Sequence, residues 1–141
     1  MKDNLRKENI IIMLEELVSQ ELAVKLKSAG LKHIPESNDW FYKPQEDGIW
    51  EMIDVSKVDD SYVWIPRINQ ALDDFKKRGY AYRLESDTCE SWIEVWSIDF
   101  NDTCKFKTDM LTGGRSDIEA VVEAWLWILE REREKNGRRI I

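Results

Sequence analysis

The 141 residues are enough for one domain with a core, and 43% hydrophobic with 35% charged residues excludes a low-complexity or disordered chain. A formal net charge of −7 argues against direct nucleic-acid or anionic-membrane binding, which needs a net basic footprint. Cys89 and Cys104 belong to no CxxC or Cys/His set, so no zinc site is expected, and no cofactor.

The first expected element is a helix over Asn4–Val18, with Leu5, Ile11, Ile12, Leu14 and Val18 at helical spacing. Its apolar run, Ile10–Leu14, is too short to span a membrane, and no signal-type cleavage site accompanies it. A cytoplasmic protein with free thiols is therefore expected. Ser19 is placed to cap a second helix, Gln20–Ala29, with Gly30 as its left-handed stop. The spacing is compatible with one helix or two across 4–29. The organisation this implies is a helical extension at 1–18, a single α+β domain at 19–135 and a basic tail at 136–141.

Pro35 and Ser37-Asn38-Asp39 carry turn chemistry. Trp40–Tyr42 and Ile49–Ile53 are strand-like, and Gln45–Gly48 can close a hairpin between them. Val55–Ser61 is polar connection. In Tyr62–Gly79, Pro66 suits the first turn of a helix, Ile68, Leu72 and Phe75 form its apolar stripe, and Gly79 ends it.

Residues 80–108 have the pattern of a three-stranded meander with short turns. Alternation sets Tyr82 and Leu84 opposite Arg83 and Glu85 in the first strand, and Cys104 and Phe106 opposite Lys105 and Lys107 in the third. In the middle strand, Ser91–Phe100, the residues Trp92, Trp96, Ile98 and Phe100 share one side, and Ile93 and Val95 the other. The tryptophan side is expected to pack on helices. Ile93 and Val95 are then expected on a mixed face among the charged residues, open to solvent or to another chain.

The last helix, over 116–134, opens with a capping box made by Ser116 and Glu119, preceded by Gly113-Gly114. Ile118, Val121, Val122, Trp125 and Leu129 fall on one face. Trp127 and Leu126 lie outside that stripe and are candidate interaction surface, with Ile93 and Val95. The hairpin at 39–53 could extend the meander into one antiparallel sheet of about four or five strands, packed with the N-terminal, middle (66–78) and last (116–134) helices, and the expected fold is α+β.

Chemistry is sparse. His33 is the sole histidine, sits beside Pro35 in a turn-rich segment, and is expected to be an ordinary loop residue. No serine lies in a nucleophile elbow, and neither cysteine has a base nearby in sequence. An enzyme is therefore not expected. Glu94 alternates onto the tryptophan side, where desolvation between Trp92 and Trp96 would raise its pKa. Gly113-Gly114-Arg115-Ser116 entering a helix could cradle an anion, with Arg115 as clamp, although it lacks the P-loop lysine. Arg83, Glu94 and Arg115 are thus the candidate ligand or anion contacts.

Several stretches in order, ELAVKLKSAGL, DWFYKP, YVWIPRINQALDDFKKRGYAYRLES, WIEVWSI and DIEAVVEAWLWILERE, resemble a known pattern. It is that of a loosely related set of short uncharacterised proteins in phages, prophages and mobile elements of Gram-positive bacteria. The chain is more distantly similar to the phage ABA-sandwich domain, in which a helix, a small sheet and a helical layer pack together. The resemblance covers about residues 20–132 and rests on packing and turn signals. It implies architecture and carries no activity to any residue.

The function expected is a non-enzymatic binding or protein-interaction module that self-associates. Two alternatives compete with it. One is an acidic inhibitor that mimics nucleic acid toward a host enzyme. The other is a binder of a small nucleotide-like ligand, using Trp or Tyr stacking with Arg83 or Arg115.

Overall fold

The protein is described here by a computed structural model covering residues 16–44, 48–52, 54–86, 90–99, 101–108 and 116–139. Residues 4–15 of the helix expected over 4–18, the Gly113–Arg115 loop and Cys89 lie outside the described residues. The class is α+β, with three α-helices and two three-stranded antiparallel sheets among the described residues.

Residues 16–18 are extended rather than helical. Leu17 bridges Arg67, the Val18 N–H donates to the Pro66 carbonyl, and the Ile68 N–H donates to the Glu16 carbonyl. Helix α1, Gln20–Ser28, starts where Ser19 adopts an extended backbone and its hydroxyl accepts from the Leu22 N–H. It stops in a Schellman turn. The Gly30 N–H returns to the Lys27 carbonyl and the Leu31 N–H to the Leu26 carbonyl, which requires the left-handed φ of 97° that Gly30 adopts.

Strands β1, Asp39–Tyr42, and β2, Ile49–Met52, form the expected hairpin. They do not extend the meander. On its other edge β1 pairs with β3, Val63–Ile65, giving the order β2-β1-β3. Strand β3 has only three residues and ends directly before Pro66, so it is too short to alternate visibly in sequence. Pro66 is buried at its end, just ahead of helix α2, Ile68–Lys77. The Arg67 N–H at the start of α2 donates to Gln70 Oε1 at 2.8 Å. Ile68, Ala71, Leu72 and Phe75 are the buried stripe of α2.

The second sheet is the meander: β4, Tyr80–Ser86, β5, Ser91–Ser97, and β6, Lys105–Lys107, in the order β4-β5-β6. Its register reverses the expected facing of the middle strand. Ile93 pairs with Leu84, and Val95 with both Tyr82 and Phe106, so these residues share the inner face. Ile93 and Val95 have no exposed surface and belong to the core. Trp92, Glu94 and Trp96 instead share the outer face with Arg83, Glu85, Lys105 and Lys107. The physical reason is volume. Short β-branched side chains let a helix settle onto the sheet, whereas two indoles would hold it off.

That helix is α3, Asp117–Arg139, which continues past the expected end at Glu134. Its capping box is formed as expected: the Glu119 N–H donates to Ser116 Oγ at 3.2 Å, and the Ser116 N–H donates to Glu119 Oε1 at 3.3 Å. Helix α3 touches all three strands of the meander and both other helices, while α1 lies on β3. Trp125 is at the junction. It has no exposed surface, and its ring meets Trp64 and Phe75 edge-on, each at 6.1 Å between centroids. The indole N–H donates to Asp74 Oδ2 at 2.8 Å, and the same oxygen accepts from Arg78 Nε at 2.6 Å.

Trp127 and Leu126 are half-buried against the core rather than unspent surface. The meander reaches Trp127 after all. Tyr80 lies edge-on to it at 6.1 Å, Phe106 is tilted against it at 5.7 Å, and the Arg131 guanidinium sits 4.9 Å from its ring centre. Such contacts are each worth about 0.5–1.5 kcal/mol beyond burial.

Arg131 also holds the β5–β6 connection. Its Nη2 donates to Asp102 Oδ2 at 2.7 Å, and Asp102 Oδ1 accepts from the Cys104 N–H at 3.1 Å. The hydrogen bond from Arg131 holds the Asp102 carboxyl below its ordinary pKa. A depressed folded-state pKa contributes stability above the unfolded value near 3.9, lost as pH falls through the folded value. Asp102→Asn is therefore expected to cost about 1–2 kcal/mol at pH 7, with the deficit shrinking below about pH 4. Denaturant melts of both proteins across pH check this, and a deficit that does not change with pH would contradict the pairing.

Candidate functional site

Two surface regions concentrate groups that the core does not use. The first is the outer face of the meander, built by the alternation of β4, β5 and β6. Cross-strand rows set Ala81 beside Trp96 and Lys105, then Arg83 beside Glu94 and Lys107, then Glu85 beside Trp92. Trp96 is 37% exposed, and Ile98, just beyond the end of β5, is 65% exposed. The Ile98 N–H is tied to the Gly79 carbonyl at 3.0 Å, so this apolar side chain stands at a fixed point of the backbone.

Four of the charges on this face, Arg83, Glu85, Glu94 and Lys105, are paired within it. Arg83 Nε donates to Glu85 Oε1 at 2.6 Å, and Trp92 Nε1 donates to Glu85 Oε2 at 3.0 Å. Lys105 Nζ meets Glu94 Oε1 at 2.6 Å. Glu94 does lie between the two tryptophans along the strand, but its pKa moves the other way from the expectation. The hydrogen bond from Lys105, with Lys107 and Arg83 nearby, holds its carboxyl below the ordinary value. An exposed face keeps water on the carboxylate, so desolvation does not prevail. Arg83 and Glu94 are thus brought onto one surface with Trp92 and Trp96. Arg115 lies outside the described residues.

The second region is a cleft of about 620 Å³ between α1, the 30–35 loop, β1 and the 58–64 segment. His33 is in its wall and is not an ordinary loop residue. Its ring stacks on Trp64, 3.6 Å between centroids with an 8° tilt, and its Nε2 is 2.7 Å from Asp39 Oδ2. Asp39 is 2% exposed and anchors the surrounding chain. Its Oδ2 also accepts from the Glu36 N–H at 2.9 Å, and its Oδ1 accepts from Gln70 Nε2 at 3.1 Å. Arg67 Nη2 donates to the carbonyl of Asn38 at 3.1 Å, so the 33–39 loop is fastened to the start of α2.

The imidazole and carboxylate form a hydrogen-bonded pair, but among the described residues no serine, threonine or cysteine lines the cleft to act as a nucleophile beside them. Sequence reasoning missed this pair because Asp39 reads as a turn residue and its burial depends on Gln70, far along the chain. Among the described residues no group of three or more His, Cys, Asp or Glu side chains is arranged to hold a metal ion. No helix of the described residues is long and apolar enough to cross a membrane. Comparison with protein-family models, with curated proteins and with solved structures found no match to this chain.

Proposed function

We propose that this chain is a non-enzymatic interaction module of the phage or mobile-element type its segment order resembles, and that it self-associates through the outer face of the meander. The observation that carries the reading is the exposure of Trp96 and Ile98 on a sheet face where most other apolar side chains of the fold are spent in the core. Large exposed aromatic and aliphatic side chains are the residues that usually anchor protein contacts.

Two features favour a second copy of the chain as the partner. The face carries both signs of charge, Arg83, Lys105 and Lys107 with Glu85 and Glu94, so two identical patches can meet without the repulsion that a face of one sign would bring. The charged rows lie beside the apolar end formed by Trp96 and Ile98, and such charges set orientation more than affinity. The earlier candidates, Trp127, Leu126, Ile93 and Val95, are not part of this surface.

Sedimentation velocity from low to high micromolar concentration tests the reading. The wild type is expected to associate as concentration rises. Ile98→Glu places a carboxylate at a 65% exposed position, so it should leave the melting temperature almost unchanged and weaken association at least tenfold, about 1.4 kcal/mol. A wild type that stays monomeric, or an Ile98→Glu chain that associates equally well, would overturn it.

A further inference from the structure

The cleft beside His33 has chemistry of its own, separate from the meander face. Its volume lies in the range of small-molecule sites, roughly 300–1,000 Å³, and Phe41, Tyr62 and Trp64 give it an aromatic lining. Its charged groups stand on opposite banks. Lys27 and Lys32 come from α1 and the loop after it, and Asp59 and Asp60 come from the 58–64 segment.

Part of that charge is already committed. The Lys27 ammonium reaches across to the carbonyls of Asp60 and Tyr62, the latter at 2.9 Å, and so ties the two banks together. Asp59 Oδ1 accepts from the Ser61 N–H at 2.8 Å and from the Ser61 hydroxyl, which holds the turn. Lys32 and the Asp60 carboxylate have no hydrogen-bond or ion-pair partner among the described residues. The groups left to meet a ligand are therefore one cation on one bank and carboxylate oxygens on the other, above an aromatic lining.

We propose that the cleft binds a small zwitterion with an apolar body, an α-amino acid or a dipeptide whose amine and carboxylate are both free. Each other ligand class meets an opposing group. An anion faces Asp59 and Asp60, a cation faces Lys27 and Lys32, and a neutral apolar molecule desolvates charges it cannot pair. A zwitterion sets its carboxylate toward Lys32, its amine toward Asp60, and its side chain against Tyr62 and Trp64. The hydrogen bond to Asp39 and the stack on Trp64 hold the His33 ring in place, so this wall of the cleft is formed before the ligand arrives.

Calorimetric titration of the full chain tests this, with L-phenylalanine, L-leucine and the Phe-Leu dipeptide as probes. N-acetyl-Phe-Leu lacks the amine, and Phe-Leu amide lacks the carboxylate. At least one free zwitterion is expected to bind saturably and to raise the melting temperature, because it binds only the folded chain. If the dipeptide is the ligand, capping either of its ends should weaken binding at least tenfold. If only the amino acids bind, their N-acetyl and amide forms take that role. Lys32→Ala and Asp60→Ala, both at exposed positions, should each weaken binding without lowering the melting temperature of the free chain. No saturable binding by any probe, equal binding of capped and free forms, or indifference to both substitutions would overturn the proposal.

Discussion

Trp125→Ala is expected to lower folding stability by about 3–5 kcal/mol, the usual cost of removing a large aromatic side chain from a core. Trp125 has no exposed surface, and two elements meet on it: β3 through Trp64, and α2 both through Phe75 and through Asp74, which accepts from the indole N–H. Truncation opens a cavity at this junction and leaves Asp74 with Arg78 alone. A domain of ordinary stability has about 5–15 kcal/mol in all, so the variant would lose a large part of its margin. Trp125→Phe separates the two contributions. It keeps most of the packing and removes only the hydrogen bond to Asp74, for an expected loss of about 1–2 kcal/mol. Urea melts of both variants check this. A loss under 1 kcal/mol for Trp125→Ala would mean that α3 does not join the two sheets as described.

The second large effect is expected at Asp39. Asp39→Ala removes the acceptor for the Glu36 N–H, Gln70 Nε2 and His33 Nε2 at a site that is 2% exposed. Stranding buried donors costs about 1–3 kcal/mol each where water cannot replace the partner. Glu36 is exposed and His33 is only half-buried, so water recovers part of that, and a net loss of about 3 kcal/mol is expected. Asp39→Asn should cost less, about 1–2 kcal/mol, because one oxygen can still accept. Thermal melts of the two variants give the comparison, with a drop on the order of 10 °C expected for the alanine. Equal melting of Asp39→Ala and the wild type would contradict the Asp39 anchor and, with it, the fixed placing of His33.

The local signals in this sequence carried well. Ser19 and Gly30 mark the ends of α1 because capping and left-handed stops are decided by a few neighbouring atoms. The Ser116 and Glu119 box is equally local. The facing of β5 was not legible for a different reason. Alternation separates Ile93 and Val95 from Trp92 and Trp96, but it does not say which set lies inside. That depends on the register against β4 and β6, and a shift of one residue exchanges the faces. Hydrophobicity favoured the tryptophans, whereas the space beneath α3 favours the smaller β-branched pair.

Trp127 shows the same limit from the helix side. Its cover comes from Tyr80 and Phe106, residues that helical periodicity cannot bring to it. The cleft was hidden more deeply, since its walls come from four separate segments and its anchor from Asp39 and Gln70. Seven tryptophans in 141 residues are a surplus over the needs of a small core. Part of that surplus lies on the outer face of the meander, at Trp96, rather than on α3 at Trp127.

A dilution series followed by ¹H–¹⁵N correlation spectra measures that difference directly. Self-association through the meander face predicts that the Trp96 indole N–H and the amides of β5 and β6 shift with concentration, while the Trp127 indole stays constant. Shifts centred on Trp127 and Leu126, or spectra independent of concentration, would contradict it.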